Sequence, residues 1–130
     1  MELEKEVITT DRAAPPVGPY SLGIKTGNLL FISGSVGWDT SGKVVGDGGA
    51  KAQTRQAFEN IRAVLEAAGG SMENVVKVTV FLTDPEDYPA MNEVRAEHFP
   101  KDPPASSAFV VKRLIPPGLC VEIEAIAVLG

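Results

Sequence analysis

Val75-Val76-Lys77-Val78-Thr79-Val80-Phe81-Leu82 is the strongest strand signal in the chain. β-Branched and aromatic side chains suit a pleated backbone, and apolar residues on both sides of the run point to a strand inside a sheet, so the expectation is a central strand. The segments on either side of it read as helices. From Lys51 to Ala68 the apolar residues Ala57, Phe58, Ile61, Val64, Leu65 and Ala68 recur at three and four, with no Gly or Pro between them. Gly69-Gly70 closes that helix, since a glycine accepts the left-handed conformation that satisfies the last carbonyls. On the other side Asp84-Pro85-Glu86-Asp87 opens a second helix, with Asp84 or Asp87 as cap. Met91, Val94, Arg95, His98 and Phe99 continue it along one stripe, and Pro100 ends it.

Further out the pattern changes from helix to sheet. Val7-Ile8-Thr9-Thr10 is a short β-branched run, followed by a proline-rich loop beginning near Asp11. Leu22-Gly23-Ile24-Lys25 and Leu29-Leu30-Phe31-Ile32-Ser33 flank Thr26-Gly27-Asn28, which is hairpin chemistry. Asp39 to Lys43 is a polar turn, and Gly46-Asp47-Gly48-Gly49 carries the chain out of the sheet. Past the loop Lys101 to Pro104, Ala108-Phe109-Val110-Val111 and Leu119 to Val128 read as two more strands around the turn Pro116-Pro117-Gly118. The order of strands, helix, strand, helix, strands predicts an α+β fold with two helices on one face of a mixed sheet, in a single domain over residues 1–130. In the last strand Val121, Ile123, Ala125 and Ala127 alternate with Glu122, Glu124, Ile126 and Val128. The second set forms a half-apolar, half-charged face away from the helices, which suits a subunit interface or a ligand site.

Composition narrows the function. Twelve Lys plus Arg against 17 Asp plus Glu give a net charge of -5, so no electrostatic footprint for nucleic acid is expected. Cys120 is the only cysteine and His98 the only histidine, too few for a structural zinc site, and no cofactor motif is present, so neither metal nor cofactor is expected. No run approaches the ~20 apolar residues of a membrane span. Met1 to Glu6 is too charged for a secretory signal, and a cytoplasmic protein without a membrane partner is the expectation.

Several residues are candidates for chemistry. Glu122 and Glu124 are like charges two residues apart on one strand, which raises at least one carboxyl pKa and suits acid–base work; an ion pair at a strand edge is the commoner role of such a pair. Tyr20 leaves the rigid turn Gly18-Pro19 either over a pocket or at the edge of the core, and both readings stay open. Ser33-Gly34-Ser35 ends an apolar strand, where a glycine permits close approach of a ligand or forms a bulge. Trp38 follows as a cleft wall or a core cap. Cys120 reads as a small buried hydrophobe, and His98 as structural or solvated.

Four segments together add a resemblance. Ala14-Pro15-Pro16-Val17-Gly18-Pro19-Tyr20-Ser21, Phe31-Ile32-Ser33-Gly34-Ser35, Val76 to Asp84, and Val121 to Ala127 resemble, in order and nearly end to end, the Rid family, also called YjgF. The resemblance implies a chorismate-mutase-like subunit, a homotrimer, and small-molecule sites in clefts between subunits. Studied members hydrolyse 2-imino acids to 2-keto acids and ammonia without a cofactor. It also implies pocket roles for Tyr20, Ser33, Gly34 and Asn92, and a water-orienting role for Glu122. Family members clamp the substrate carboxylate with an Arg in a Pro-Ala-Arg-Ser motif, whereas this chain reads Pro104-Ala105-Ser106-Ser107-Ala108. Ser106 stands at the Arg position, Ala108 at a frequent Cys, and Ser35 at a common Gln. A hydroxyl in place of a guanidinium weakens carboxylate binding by about 2 kcal/mol or more in a dry pocket. Lys112, read as lying in the same strand and on the face of Ser106, is about 20 Å away and too far to substitute, and Arg113 matches a second family Arg.

The expected function is a small-molecule hydrolase, deaminase-like toward imines and enamines, acting on a substrate without the usual carboxylate. Glu122, Ser106 and Tyr20 carry the chemistry, and Ser33, Gly34, Ser35, Trp38, Asn92, Ser107 and Ala108 line the cleft. A non-catalytic metabolite-binding trimer is the alternative, and an endoribonuclease or translation inhibitor, the family's older label, is a third reading that the acidic charge disfavours.

Overall fold

The structure is a computed structural model that describes residues 4–47 and 49–130. Met1 to Leu3 and Gly48, which belong to the charged N-terminal and glycine-rich segments read above, lie outside the described residues. Six strands form one mixed sheet in the order β1-β2-β3-β6-β4-β5. They are β1 (Glu6–Ile8), β2 (Gly23–Thr26), β3 (Leu29–Val36), β4 (Val75–Leu82), β5 (Ala105–Val110) and β6 (Val121–Val128). β4 and β5 pair in parallel and every other pair is antiparallel. α1 (Ala50–Ala67) follows β3, and α2 (Tyr88–His98) is the crossover that a parallel β4–β5 pair requires.

The core follows from two periodicities. Val78, Val80 and Leu82 of β4, Val121, Ile123, Ala125 and Ala127 of β6, and Leu30 and Ile32 of β3 are buried against the helices. Ala57, Phe58, Ile61, Val64 and Leu65 of α1, with Met91 and Val94 of α2, meet them. The opposite sheet face stays open and carries Phe31, Lys77, Thr79, Glu124 and Ile126 around a shallow hollow. Gly27, at φ 59°, turns the β2–β3 hairpin, and Gly69, at φ 86°, follows α1.

Two local expectations are narrowed and two change. β4 is interior, between β6 and β5, while β6 lies nearer the middle of the sheet. β5 begins at Ala105, three residues before the apolar run, because the ladder from Lys77–Ala105 to Leu82–Val110 holds the polar Ser106 and Ser107 in the sheet. It ends at Val110, so Lys112 and Arg113 lie beyond the strand. Arg95 leaves the apolar stripe of α2: Met91 and Val94 are buried, while Arg95 turns toward β5. The Asp84 carboxylate accepts from Glu86 N–H at 2.9 Å and so caps the short 3-10 turn Pro85–Asp87, whereas Asp87 makes no side-chain cap.

Candidate functional site

Most of the residues singled out in the sequence gather in two places. The first lies at the end of β3, where the ladder to β6 shifts register between Ile32 and Ser35. Ser33 and Gly34 bulge there, and Gly34 lies against Glu122 so closely that a Cβ at position 34 would collide with the Glu122 carboxylate. The glycine therefore makes room for a carboxylate of its own chain, a use of the Ser-Gly-Ser segment that its sequence does not reveal. Tyr20, Ser33, Gly34, Trp38 and Glu122 line one hollow, with Val17, Ile115 and Pro116 at its edge. Ser35 lies beside it in a smaller hollow shared with Tyr20, Gly34 and Trp38.

Hydrogen bonds fix the parts of this first group. Tyr20 Oη accepts from Val17 N–H at 3.3 Å, which leaves the phenolic O–H to donate. Ser33 Oγ donates to Ser21 carbonyl at 2.5 Å, and Ser33 N–H donates to Leu22 carbonyl at 2.9 Å. Both donors of Ser33 are therefore occupied inside the fold. Ser35 Oγ donates to Ser33 carbonyl at 3.2 Å. The wall behind Trp38 comes from α1: the Asn60 amide donates to the carbonyls of Val36 at 3.1 Å and Trp38 at 3.0 Å. Gln53, fully buried, donates to Gly118 carbonyl and accepts from Cys120 N–H, each at 2.9 Å, which ties the approach to β6 onto α1. The apolar periodicity of α1 gives no hint of either amide, because both sit among its buried positions.

Glu122 is half-buried, and its carboxyl is pushed above the ordinary range first by burial and then by the charge of Glu124. The sequence pointed to the pair; removal from water is the larger cause. A carboxylate held this way is a stronger proton acceptor when ionised.

The second group lies beside β5. Asn92, Ser106 and Ala108 line a hollow of about 400 Å³ with Tyr88, Arg95, Ala96 and Phe99. Ser106 is paired with Val78, a buried residue on the helix side of the sheet, so Ser106 and Glu122 project from opposite faces. Ser107 projects to the open face, where its hydroxyl accepts from Lys77 Nζ at 2.8 Å, and it joins neither group. His98 is structural: its ring stacks on Phe58 at 5.0 Å, and its two nitrogens face Val94 carbonyl at 2.9 Å and Glu59 at 3.0 Å. The Cys120 thiol is pushed up by burial and then by Asp87, which keeps it protonated and a poor nucleophile. Among the described residues no group of three or more His, Cys, Asp or Glu side chains comes together, and no helix is long and apolar enough to cross a membrane.

Residues 10–129 match the protein family described as Endoribonuclease L-PSP. A RutC family protein of Pyrococcus horikoshii is 52% identical over 123 residues, covering 95% of this chain and 97% of that protein. The mouse 2-iminobutanoate/2-iminopropanoate deaminase is 41% identical, covering 97% of this chain and 93% of the relative. The crystal structure of RidA from an Antarctic Psychrobacter superposes with a TM-score of 0.90 at 44% identity, covering 95% of this chain and 99% of the other.

Proposed function

We propose that this chain, which belongs to the Rid (YjgF) family, described as Endoribonuclease L-PSP, hydrolyses small imines and enamines to carbonyl compounds and ammonia. Relatives named as deaminases support a deaminase-like role in general. The observation that carries the finer reading is Glu122, a half-buried carboxylate with a raised pKa, facing a hollow that it shares with Tyr20 and Trp38. Glu122 accepts a proton from a water whose oxygen adds to the C=N carbon. Glu122 passes that proton to the nitrogen to give the carbinolamine, whose hydroxyl proton then moves to the same nitrogen as the C–N bond breaks, leaving a C=O group and ammonia; an enamine enters as its imine tautomer. The Tyr20 O–H donates to the reacting group.

The two half-sites belong to one cleft when copies of the chain assemble, the β5 and α2 half of one copy meeting the Glu122 half of the next. Two observations support a cleft shared between copies, and the family resemblance makes the assembly a homotrimer. Glu122 and Ser106 project from opposite faces of a single sheet, so one chain does not bring them together. Apolar side chains are exposed beside both halves: Val17 at 69% and Ile115 at 96% near Glu122, Phe109 at 53% and Val110 at 55% on β5. Ser106 at the Arg position favours a second reading, a trimer that binds a metabolite without turning it over. RNA cleavage, suggested by the family's description, gains no support from a net charge of -5.

The test is ammonia release from 2-iminobutanoate generated in place by a dehydratase. The expected result is turnover by the native protein and a loss of 10²-fold or more in Glu122→Gln, on the order of general acid–base contributions. No turnover by the native protein overturns the hydrolase reading in favour of the binding trimer.

A further inference from the structure

The guanidinium missing from position 106 is present in space, supplied by another element. Arg95 Nη1 donates to Ser106 Oγ at 2.8 Å, and Arg95 Nη2 donates to Tyr88 Oη at 2.8 Å and to Asn92 Oδ1 at 2.6 Å. Its carbon Cζ lies 5.5 Å from the centre of the Tyr88 ring. Tyr88, Asn92 and Arg95 are four and three residues apart on α2 and so share a flank of that helix. The acidic residues of α2 leave by another flank: Glu93 pairs with Lys51 at 3.1 Å and Glu97 with Arg55 at 3.0 Å, both on α1.

Arg95 is thus a cation held by three neutral acceptors, with no carboxylate partner among the described residues, while Arg12, Arg55 and Arg62 each have one. A positive charge fixed at the wall of an open hollow and left unneutralised by the fold is an anion site. The neighbours reinforce it. Ser106 and Tyr88 accept from Arg95, so their own O–H groups are left to donate, and Arg95 has five N–H donors of which three are used here. The hollow is otherwise walled by Ala96, Phe99 and Pro104, which suits a small organic acid with a short apolar chain.

We propose that Arg95 is the carboxylate-binding residue of this protein, positioned by Asn92 and Tyr88 and delivered over Ser106, so that its substrates are small 2-imino acids. The expectation of a substrate without a carboxylate rested on residue 106 and on the cations Lys112 and Arg113; Arg95 changes that premise. The proposal rests on the hydrolase reading for the word substrate, while the anion site itself stands apart from turnover.

The test is equilibrium binding of 2-oxobutanoate, the keto acid formed by hydrolysis of 2-iminobutanoate, and of 2-oxobutanamide, its uncharged counterpart, to the native full chain and to Arg95→Gln, Arg95→Lys and the double variant Arg95→Gln with Ser106→Arg. Thermal unfolding of each variant is recorded alongside. Native protein is expected to prefer the acid over the amide by about tenfold or more, the cost of one charge-assisted contact. Arg95→Gln is expected to lose that preference with its melting temperature unchanged, Arg95→Lys to keep part of it, and the double variant to regain it. Equal binding of acid and amide by native protein, or an acid preference that survives in both Arg95→Gln and Arg95→Lys, overturns the proposal. Arg95-dependent binding in a protein that releases no ammonia upholds this site and removes the hydrolase reading; turnover with a KM indifferent to residue 95 does the reverse.

Discussion

Glu122 is the residue at which stability and function pull in opposite directions. Its carboxyl is held above the ordinary range by burial and by Glu124, so the folded chain binds the proton more tightly than the unfolded chain does. The sign follows: the stability linked to this group is fully present below the unfolded carboxylate pKa of about 4.3 and is lost as pH rises through the higher folded value. At pH 7 the charge is a net cost to folding. Glu122→Gln, which keeps the shape and removes the charge, is expected to melt higher than native protein at pH 7, with the difference vanishing below about pH 4. Melting scans of the two proteins across that range check this; a variant that melts lower at pH 7 contradicts it. Retaining such a residue in spite of its cost is the pattern of a functional group.

At the scale of the element, α1 serves as core and as scaffold for the cleft. Its apolar stripe seats Phe58, Ile61 and Leu65 in the core, while Gln53 and Asn60 reach past that stripe to the backbone of residues 118–120 and 36–38. Gly37 makes room for this, since a Cβ there would lie 2.6 Å from Gln53 Cγ. Gln53→Ala leaves Gly118 carbonyl and Cys120 N–H without that partner, and is expected to destabilise the chain by about 2–3 kcal/mol in denaturant unfolding. A change under about 0.5 kcal/mol, the range of a surface substitution, counts against this role.

What was legible in the sequence follows the range of the interactions. α1, the β2–β3 hairpin, β4 and the alternation of β6 are written in neighbouring residues, and the structure has all of them. The start of β5 is not legible because Ala105-Ser106-Ser107 has little strand character of its own and is held by a ladder to β4, some thirty residues back. Spacing alone does not separate positions 94 and 95 of α2, so Arg95 reads as part of its stripe; only the arrival of Ser106, 11 residues later across a turn, shows where its side chain goes. The split of the candidate site into two groups is likewise a property of the sheet, since no local pattern says which face of β5 Ser106 takes.

At the scale of the whole molecule, the two half-sites lie on different faces of the sheet, with β4 between their strands. β5 and β6 are two strand spacings apart, about 10 Å, so a small molecule touching Ser106 on one face does not reach Glu122 on the other through the packed layer between. Val17 and Ile115 beside one half, and Phe109 and Val110 beside the other, are exposed, and the proposed assembly would bury them. A cleft built this way places the raised carboxylate of one chain opposite the guanidinium of the next, so that the acid end of a 2-imino acid and its C=N carbon are held by different copies. The most direct measurement is activity after mixing two disabled chains: Glu122→Gln, which lacks the base, and Ala108→Trp, which fills the hollow beside Ser106. Each alone is expected to release ammonia from 2-iminobutanoate at about a hundredth of the native rate or less, and chains unfolded together and reassembled at equal amounts are expected to recover about a quarter of native activity, the share of clefts that random assortment leaves with two intact halves. A mixture as inactive as its parents would contradict a site shared between copies.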